Sequence, residues 1–401
     1  MNPRWIEEMG WRMGEVYAAI TDRILINLAR HFQFISEGAP ISETFNYQLK
    51  KLAEMGQVTR ETEKIILDSL QGGDQALRTL LEETIRESLK NVTPALRKAA
   101  EKGLLTGAME VAPNQMQTFF SFYRQAADKL NMVNTTMLES TIDLYRETVS
   151  DVVARFQRLQ GIMDTTAGMV ISGVQTLNQA VKEAVQKMVE VGITGFIDRG
   201  GHHWSPEAYV TMDTRTTMAN TARESIFEQN RNFNNDLFSV SWHSGARPLC
   251  FPWQGKVIAK TGPHGKTTDL NGKTVEVYAL SETTYGEPAG LFGINCGHFP
   301  IPFIPGYSLA RQPEQDEAQN AKEYAESQRQ RALERKLRYE KRDLQVLKAQ
   351  GASEAEIKAQ RIRVRNARVA LDNFCEETGR ARRTGRERTP IQATWPDGKE
   401  N

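Results

Sequence analysis

Residues 119–157, with the sequence FFSFYRQAADKLNMVNTTMLESTIDLYRETVSDVVARFQ, decide the fold class. They lie in a stretch from 115 to 192 that contains no proline, and apolar side chains such as Tyr145, Val149 and Val152 recur there at helical spacing. An amphipathic helix buries its apolar face against other helices. The stretch therefore predicts long helices that pack side by side.

The first residues of the chain show the same pattern. Ile20, Ile24 and Leu28 follow one another at i, i+4 spacing, which predicts one buried helix face. We therefore predict a helical region over residues 1–195. Glycines interrupt its second half and predict at least one bend or break, at Gly161, Gly168 or Gly173.

Composition excludes several classes of protein. The chain has 51 Lys and Arg against 50 Asp and Glu, without the positive excess expected of a protein that coats nucleic acid or an anionic membrane. Three cysteines are too few for a secreted disulfide scaffold. The start, MNPRWIEEMGWRMGE, shows no signal peptide, and no apolar run is long enough to cross a bilayer. We expect a soluble, unexported product with no membrane span.

The chain changes character after the helical region. Glycine and proline become dense, and short runs at 237–242, 256–259 and 275–280 have the β-branched and aromatic composition of strands. A helix that begins at Ser205 is expected to pack on this sheet. Residues 196–312 are therefore predicted to form a compact α+β module within a fold that is mainly α.

Two loops of this module carry cysteine and histidine. The segment SWHSGARPLCFPWQGK contains His243 and Cys250, and the segment GLFGINCGHFPIPFIPG contains Cys296 and His298. Thiolates and imidazoles are ligands that zinc prefers, and a metal ion could hold together a module whose own core is small. These four residues are the candidate metal ligands, although their spacing matches no common zinc motif.

Two other interpretations of these residues stay open. In the first, both histidines donate to turn carbonyls, both cysteines pack as small apolar side chains, and Arg247 and Asn295 fix the loops by hydrogen bonds. In the second, Cys296 is a nucleophile paired with His243. The chain has no glycine-rich phosphate loop, G-x-S-x-G elbow or H-E-x-x-H helix. No catalytic residue and no organic cofactor is therefore predicted.

Three stretches around this module resemble a known family. GITGFIDRGGHHWSPEAYVTMDTRTT, SWHSGARPLCFPWQGKV and YGEPAGLFGINCGHFPIPFIPG are similar to the phage minor capsid proteins, which are found beside portal genes in tailed phages. The resemblance covers about residues 190–306. It implies a structural protein of the virion, present in few copies near the portal vertex. It also implies contacts with the portal and other head proteins, a role in head assembly or genome delivery, and no established catalytic activity.

A more distant resemblance is to the Mu F-type head morphogenesis proteins, in which a histidine, an Arg-Pro pair and a late Asn-Cys pair recur. In this sequence those positions are His243, Arg247, Pro248, Asn295 and Cys296. That family commonly has a histidine where this chain has Cys250, and the exchange keeps the capacity to bind a metal. Because Mu F-type domains sometimes precede toxin domains, the alternative function is an enzyme or injected effector with a Cys/His active centre in this module.

Residues 313–378 are highly charged and carry an apolar stripe on each of two predicted helices. The apolar positions are Leu333, Leu337, Leu344 and Leu347 in the first helix and Ile357, Val364 and Leu371 in the second. Gly351 ends the first helix, and Ser353 with Glu356 forms a capping box for the second. The pattern predicts an antiparallel, coiled-coil-like hairpin, and self-association or partner docking is its candidate function.

Residues 379–401 predict a basic flexible tail. Between Lys358 and Arg388 ten basic residues face four acidic ones, a local charge of +6. The arginines of the tail are Arg380, Arg382, Arg383, Arg386 and Arg388. The tail is a candidate for contact with packaged DNA. Such contact would be weak, salt-sensitive and independent of sequence, because aromatic residues that stack on bases are missing among the arginines.

Overall fold

The N-terminal part of the molecule is helical, as predicted. The computed structural model describes residues 3–34, 46–106, 114–165, 173–310 and 316–397. The helices there are α1 Pro3–His31, α2 Tyr47–Ala53, α3 Met55–Leu70, α4 Gly73–Leu89, α5 Val92–Glu101, α6 Asn114–Thr165 and α7 Gly173–Val191. Helix α6 continues through Gly161 and α7 begins at Gly173, whereas the predicted break at Gly168 lies outside the described residues.

Helix α1 lies at the centre of the helical part. Ile20, Ile24 and Leu28 have no exposed surface, so the predicted apolar stripe is confirmed. They share one apolar core with Tyr145 and Val149 of α6. Burial of such a continuous face supplies most of the stability of a helix in a folded protein.

Helix α8, Pro206–Asn232, connects the helical part to the middle module. It begins where the sequence predicted, because the Ser205 side chain accepts a hydrogen bond from the backbone N–H of Ala208. Its first half lies close against α1 at Gly14, where an added Cβ would stand 1.9 Å from Thr211 Oγ1. Only a glycine allows the two backbones to approach this closely.

The middle module contains a five-stranded sheet of order β5-β6-β4-β3-β7. The strands are β3 Leu237–Val240, β4 Val257–Ala259, β5 Gly265–Thr268, β6 Thr274–Ala279 and β7 Pro300–Pro302, and a separate hairpin joins β1 Phe196–Ile197 to β2 His203–Trp204. The pair β4–β6 is parallel and the other pairs of the sheet are antiparallel. Phe227 of α8 packs on Phe238 of β3 with ring centroids 5.1 Å apart, as expected for a helix on a sheet.

Two strands of this sheet were not predicted, and both lie at its edges. β5 has the sequence GKTT and β7 has the sequence PIP, so neither shows the apolar alternation of a strand. Proline is tolerated at a sheet edge because its missing N–H need not pair with a further strand. Because of its prolines, β7 could not be recognised as a strand in the sequence.

The predicted C-terminal hairpin consists of α9, Glu317–Gln350, and α10, Glu354–Thr378. Leu337 and Leu371 are fully buried between the two helices. The capping box of Ser353 and Glu356 is present, with both reciprocal hydrogen bonds. The hairpin and its turn are therefore confirmed.

Residues 379–397 follow α10 and run back along α9. Arg380 Nε donates to Gln330 at 2.9 Å, and Arg383 Nη1 lies 2.8 Å from a carboxylate oxygen of Glu7 in α1. Trp395 Nε1 donates to the Ser69 carbonyl at 3.2 Å. The sequence predicted a flexible tail over residues 379–401, and counting charges could not show which arginines find acceptors in the folded chain.

Candidate functional site

The sheet topology brings the two loops of the middle module together. β3 pairs antiparallel with β7, and Val240 stands opposite Pro300. Residues that follow β3 therefore lie beside residues that precede β7, and Ser241 N–H donates to the Phe299 carbonyl at 2.9 Å. The two loops are far apart along the chain, but the pairing of β3 with β7 brings them close together.

Three of the four predicted ligands meet in the interior. Cys250 Sγ lies 3.9 Å from Cys296 Sγ, and Cys296 Sγ lies 3.3 Å from His298 Nδ1. The three donor atoms are all within 4.8 Å of one another. Cys250, Cys296 and His298 are respectively 1, 5 and 1 % exposed, so this cluster is closed to bulk solvent.

The fourth predicted ligand, His243, packs on the third. The rings of His243 and His298 stack with centroids 4.2 Å apart and planes at 30°. His243 Nδ1 is 3.1 Å from the Ser244 carbonyl, and His243 Nε2 is buried without a hydrogen-bond partner. Burial and the neighbouring His298 lower the pKa of His243. The structure thus places its free nitrogen beside the cluster without including it among the three close donors.

Gln254 contacts both histidines, and the sequence analysis did not identify it. Its Oε1 accepts from the backbone N–H of His243 at 2.8 Å and lies 3.1 Å from His298 Nε2. An amide oxygen can only accept, so His298 carries its proton on Nε2 and turns an unprotonated Nδ1 toward Cys296.

Arg223 of α8 is a second residue that sequence reasoning missed as part of the site. Its buried guanidinium donates to the carbonyls of His298 and Phe292, each at 3.0 Å, and to the carbonyl of Cys296. The sequence did contain a signal for this role. Arg223 follows Ala219 by four residues on one helix face, and a charged residue on a buried face needs hydrogen-bond partners. The guanidinium fixes the loop that holds Cys296 and His298.

The two thiols share one hydrogen bond and titrate as a pair. The hydrogen bond from Cys250 lowers the pKa of Cys296, with further lowering by the Arg223 guanidinium. The same bond, together with burial, raises the pKa of Cys250. The backbone N–H of Phe292 also donates to Cys296 Sγ at 3.2 Å. Cys296 is therefore the sulfur at which negative charge is stabilised.

This geometry bears differently on the three interpretations. A thiolate beside an imidazole resembles a nucleophilic pair, but a Cys296 that is 5 % exposed offers a substrate little access. Features of the packed interpretation are present, since both cysteines lie in an apolar cluster and Asn295 N–H donates to Thr216 Oγ1 at 3.1 Å. The cluster can also hold a metal ion, because its donor atoms converge.

Comparison with known proteins finds a relative and a family model that each match most of the chain. A structural protein of Lactococcus phage LL-H is 28% identical to it over 298 residues, which are 74% of this chain and 76% of that protein. No solved structure matches the chain. Among the helices of the described ranges, none is both long and apolar enough to cross a membrane. The model of the family phage minor capsid protein 2 matches residues 1–376, and the chain therefore belongs to the phage minor capsid protein 2 family.

Proposed function

We propose that this protein is a structural component of a tailed-phage head that lies at the portal vertex and takes part in head assembly or genome delivery. The observation that carries the proposal is the family match over residues 1–376, supported by the relative from Lactococcus phage LL-H, which is named a structural protein. Such a protein acts through its surfaces and has no need of catalysis. Its location would be the virion, after assembly in the host cytoplasm.

The three parts of the chain are joined to one another, which suits a protein that contacts several neighbours in a particle. α8 contacts both the central helix α1 and the sheet, and the C-terminal hairpin is tied to α1 by the buried pair of Arg342 and Asp22. The three parts of the chain are thus linked through buried side chains. A contact made by one part with a portal or head protein would be supported by the other two.

Contact with packaged DNA is the weaker part of the proposal, and α10 supports it better than the tail does. Arg382 pairs with Asp372 and Glu387, and Arg383 and Arg386 pair with Glu7, so these guanidinium groups already have carboxylate partners. By contrast, basic side chains on the outer face of α10 are exposed: Lys358, Arg361, Arg365 and Arg368. Self-association through the hairpin is a further prediction.

Mass spectrometry of purified particles tests the proposal. The protein should be present in complete virions and in DNA-free proheads, and chemical cross-linking should join it to the portal protein. Absence from particles, while the protein accumulates free in infected cells, would contradict a structural role. Cross-links to head proteins far from the portal, and none to the portal, would contradict the position at the vertex.

A further inference from the structure

We propose that Cys250, Cys296, His298 and His243 bind a zinc ion that ties together the two loops of the middle module. Three of these residues already converge. The fourth provides a buried nitrogen beside them that has no hydrogen-bond partner.

Two distances between the donor atoms match those of a tetrahedral zinc site. Two sulfurs bound at about 2.3 Å to one tetrahedral zinc ion lie about 3.8 Å apart, and a sulfur and an imidazole nitrogen lie about 3.5 Å apart. In this structure the distance from Cys250 Sγ to Cys296 Sγ is 3.9 Å, and the distance from Cys296 Sγ to His298 Nδ1 is 3.3 Å. These two distances are close to the tetrahedral values, and the third pair, Cys250 Sγ and His298 Nδ1, lies within 4.8 Å.

Both histidines have the tautomer that a metal ligand requires. The Gln254 oxygen accepts from His298 Nε2 and leaves the lone pair of Nδ1 toward the sulfurs. The Ser244 carbonyl accepts from His243 Nδ1 and leaves the lone pair of Nε2 without a partner. Metal-binding histidines commonly donate their second nitrogen to a carbonyl or carboxylate in this way. An unpaired acceptor in the interior otherwise costs free energy.

A hydrogen-bond donor faces the sulfur of Cys296. The Phe292 N–H points at Cys296 Sγ, and the buried Arg223 guanidinium holds the carbonyls around it. Zinc binds thiolates, and the thiols lose their protons when the ion enters. Soft thiolates together with imidazoles select zinc over magnesium or calcium, which prefer oxygen ligands.

His243 completes the site by a movement of its ring from the stack on His298. Gly297 lies between the two ligands of the second loop, and an added Cβ there would stand 3.1 Å from His243 Nε2. Glycine at this position leaves the imidazole room to approach. Zinc would thereby join the loop after β3 to the loop before β7, next to the strand pair that brings them together.

Metal analysis of the full-length protein tests this site. Protein expressed with zinc in the medium and purified with a phosphine reductant, without chelator, should contain about one zinc per chain. Cobalt added to the stripped protein should give the visible bands of a tetrahedral ion and a thiolate-to-cobalt charge-transfer band. Because the cobalt spectrum uses the unaltered chain, it does not depend on whether a variant folds.

Cysteine variants locate the site, and the third cysteine is the matched control. Cys250→Ser and Cys296→Ser should each reduce zinc below about a tenth of an equivalent, whereas Cys375→Ser, buried in the hairpin, should keep it. His243→Ala should weaken zinc binding by about tenfold or more. Zinc below about a tenth of an equivalent in the unaltered protein, with no thiolate-to-cobalt band, would overturn the proposal. Unchanged zinc affinity in His243→Ala would remove His243 from the ligand set.

Discussion

The guanidinium of Arg342 in α9 donates to the carboxylate of Asp22 in α1 and so joins distant parts of the chain in one buried ion pair. Asp22 has no exposed side-chain surface, and Arg342 also lies 3.4 Å from a carboxylate oxygen of Glu207. Burial raises the pKa of Asp22 to about 6, although Arg342 acts to lower it. The hairpin is thus attached to the helical part by charge as well as by apolar contact.

Removal of this arginine should destabilise the protein strongly. Arg342→Met keeps apolar bulk but leaves Asp22 buried without its partner, and we expect a loss of about 3 to 5 kcal/mol in the free energy of unfolding. Adding Asp22→Asn should recover part of it. Urea unfolding followed by circular dichroism measures the change, and Arg365→Ala on the exposed face of α10 is the control. If Arg342→Met unfolds at the same urea concentration as the control, the pair does not attach the hairpin.

The sequence could predict which faces are buried but not which groups they meet. The helical period at Ile20, Ile24 and Leu28 marked a buried face because helical spacing is a local property. The partners of Arg342 and Arg383 could not be found, because both pairs depend on how distant helices pack. Charged side chains carry no periodic signal for that packing.

In the candidate site, too, the sequence predicted some features and could not predict others. Residue types indicated that Cys250, Cys296 and His298 could act together, and the structure brings them together. The stacked position of His243 and the role of Gln254 follow from the register of β3 with β7. The prolines of β7 conceal that strand, so neither detail could be predicted.

Ionised Glu7 should stabilise the folded protein, and this stabilisation should be lost at acidic pH. Burial alone would raise its pKa, but Arg386, Arg215 and Arg383 hold the pKa at about 2, below the usual value of 4.5. Because the folded-state pKa is the lower one, the stabilisation is complete above about pH 4.5 and is lost as the pH falls toward 2. Glu7→Gln should therefore cost on the order of 3 kcal/mol at pH 7 and progressively less below pH 4.5.

Thermal unfolding of both proteins between pH 7 and pH 3 measures this difference. Glu8→Gln is the matched control, since Glu8 is the next residue and is exposed. It should unfold like the unaltered protein at every pH. A gap between Glu7→Gln and the unaltered protein that stays constant with pH would show that the carboxylate is not stabilised by its arginines.

Gly14 should tolerate no side chain. In Gly14→Ala the added Cβ would stand 1.9 Å from Thr211 Oγ1 and 3.0 Å from the Glu207 carbonyl, so α1 and α8 would have to separate. We expect a loss of about 1 to 3 kcal/mol, as for an overpacked interior. Gly56→Ala in α3 is the control, because its Cβ would meet only Arg60 at 3.6 Å. Chemical denaturation should show that change to be neutral or stabilising by up to about 1 kcal/mol. Equal behaviour of the two variants would argue against the close crossing.

Gly73 and Trp395 should be coupled across the contact between α4 and the C-terminal segment. An added Cβ at Gly73 would stand 2.8 Å from Trp395 Cζ2, so Gly73→Ala should displace the indole and break its hydrogen bond to Ser69. This change should cost about 1 to 3 kcal/mol in the unaltered chain. In a Trp395→Ala background the clash is absent, and the same change should stabilise α4 by up to about 1 kcal/mol because alanine favours the helix.

The sign reversal is the diagnostic result. The four proteins of this double-mutant cycle are compared by urea unfolding, and a coupling energy above about 1 kcal/mol is expected. The effect of Gly73→Ala on stability should change from destabilising to stabilising when Trp395 is removed, because the clash is then absent. General damage to α4 would be destabilising in both backgrounds. An identical effect of Gly73→Ala in both backgrounds would mean that Trp395 does not pack on α4.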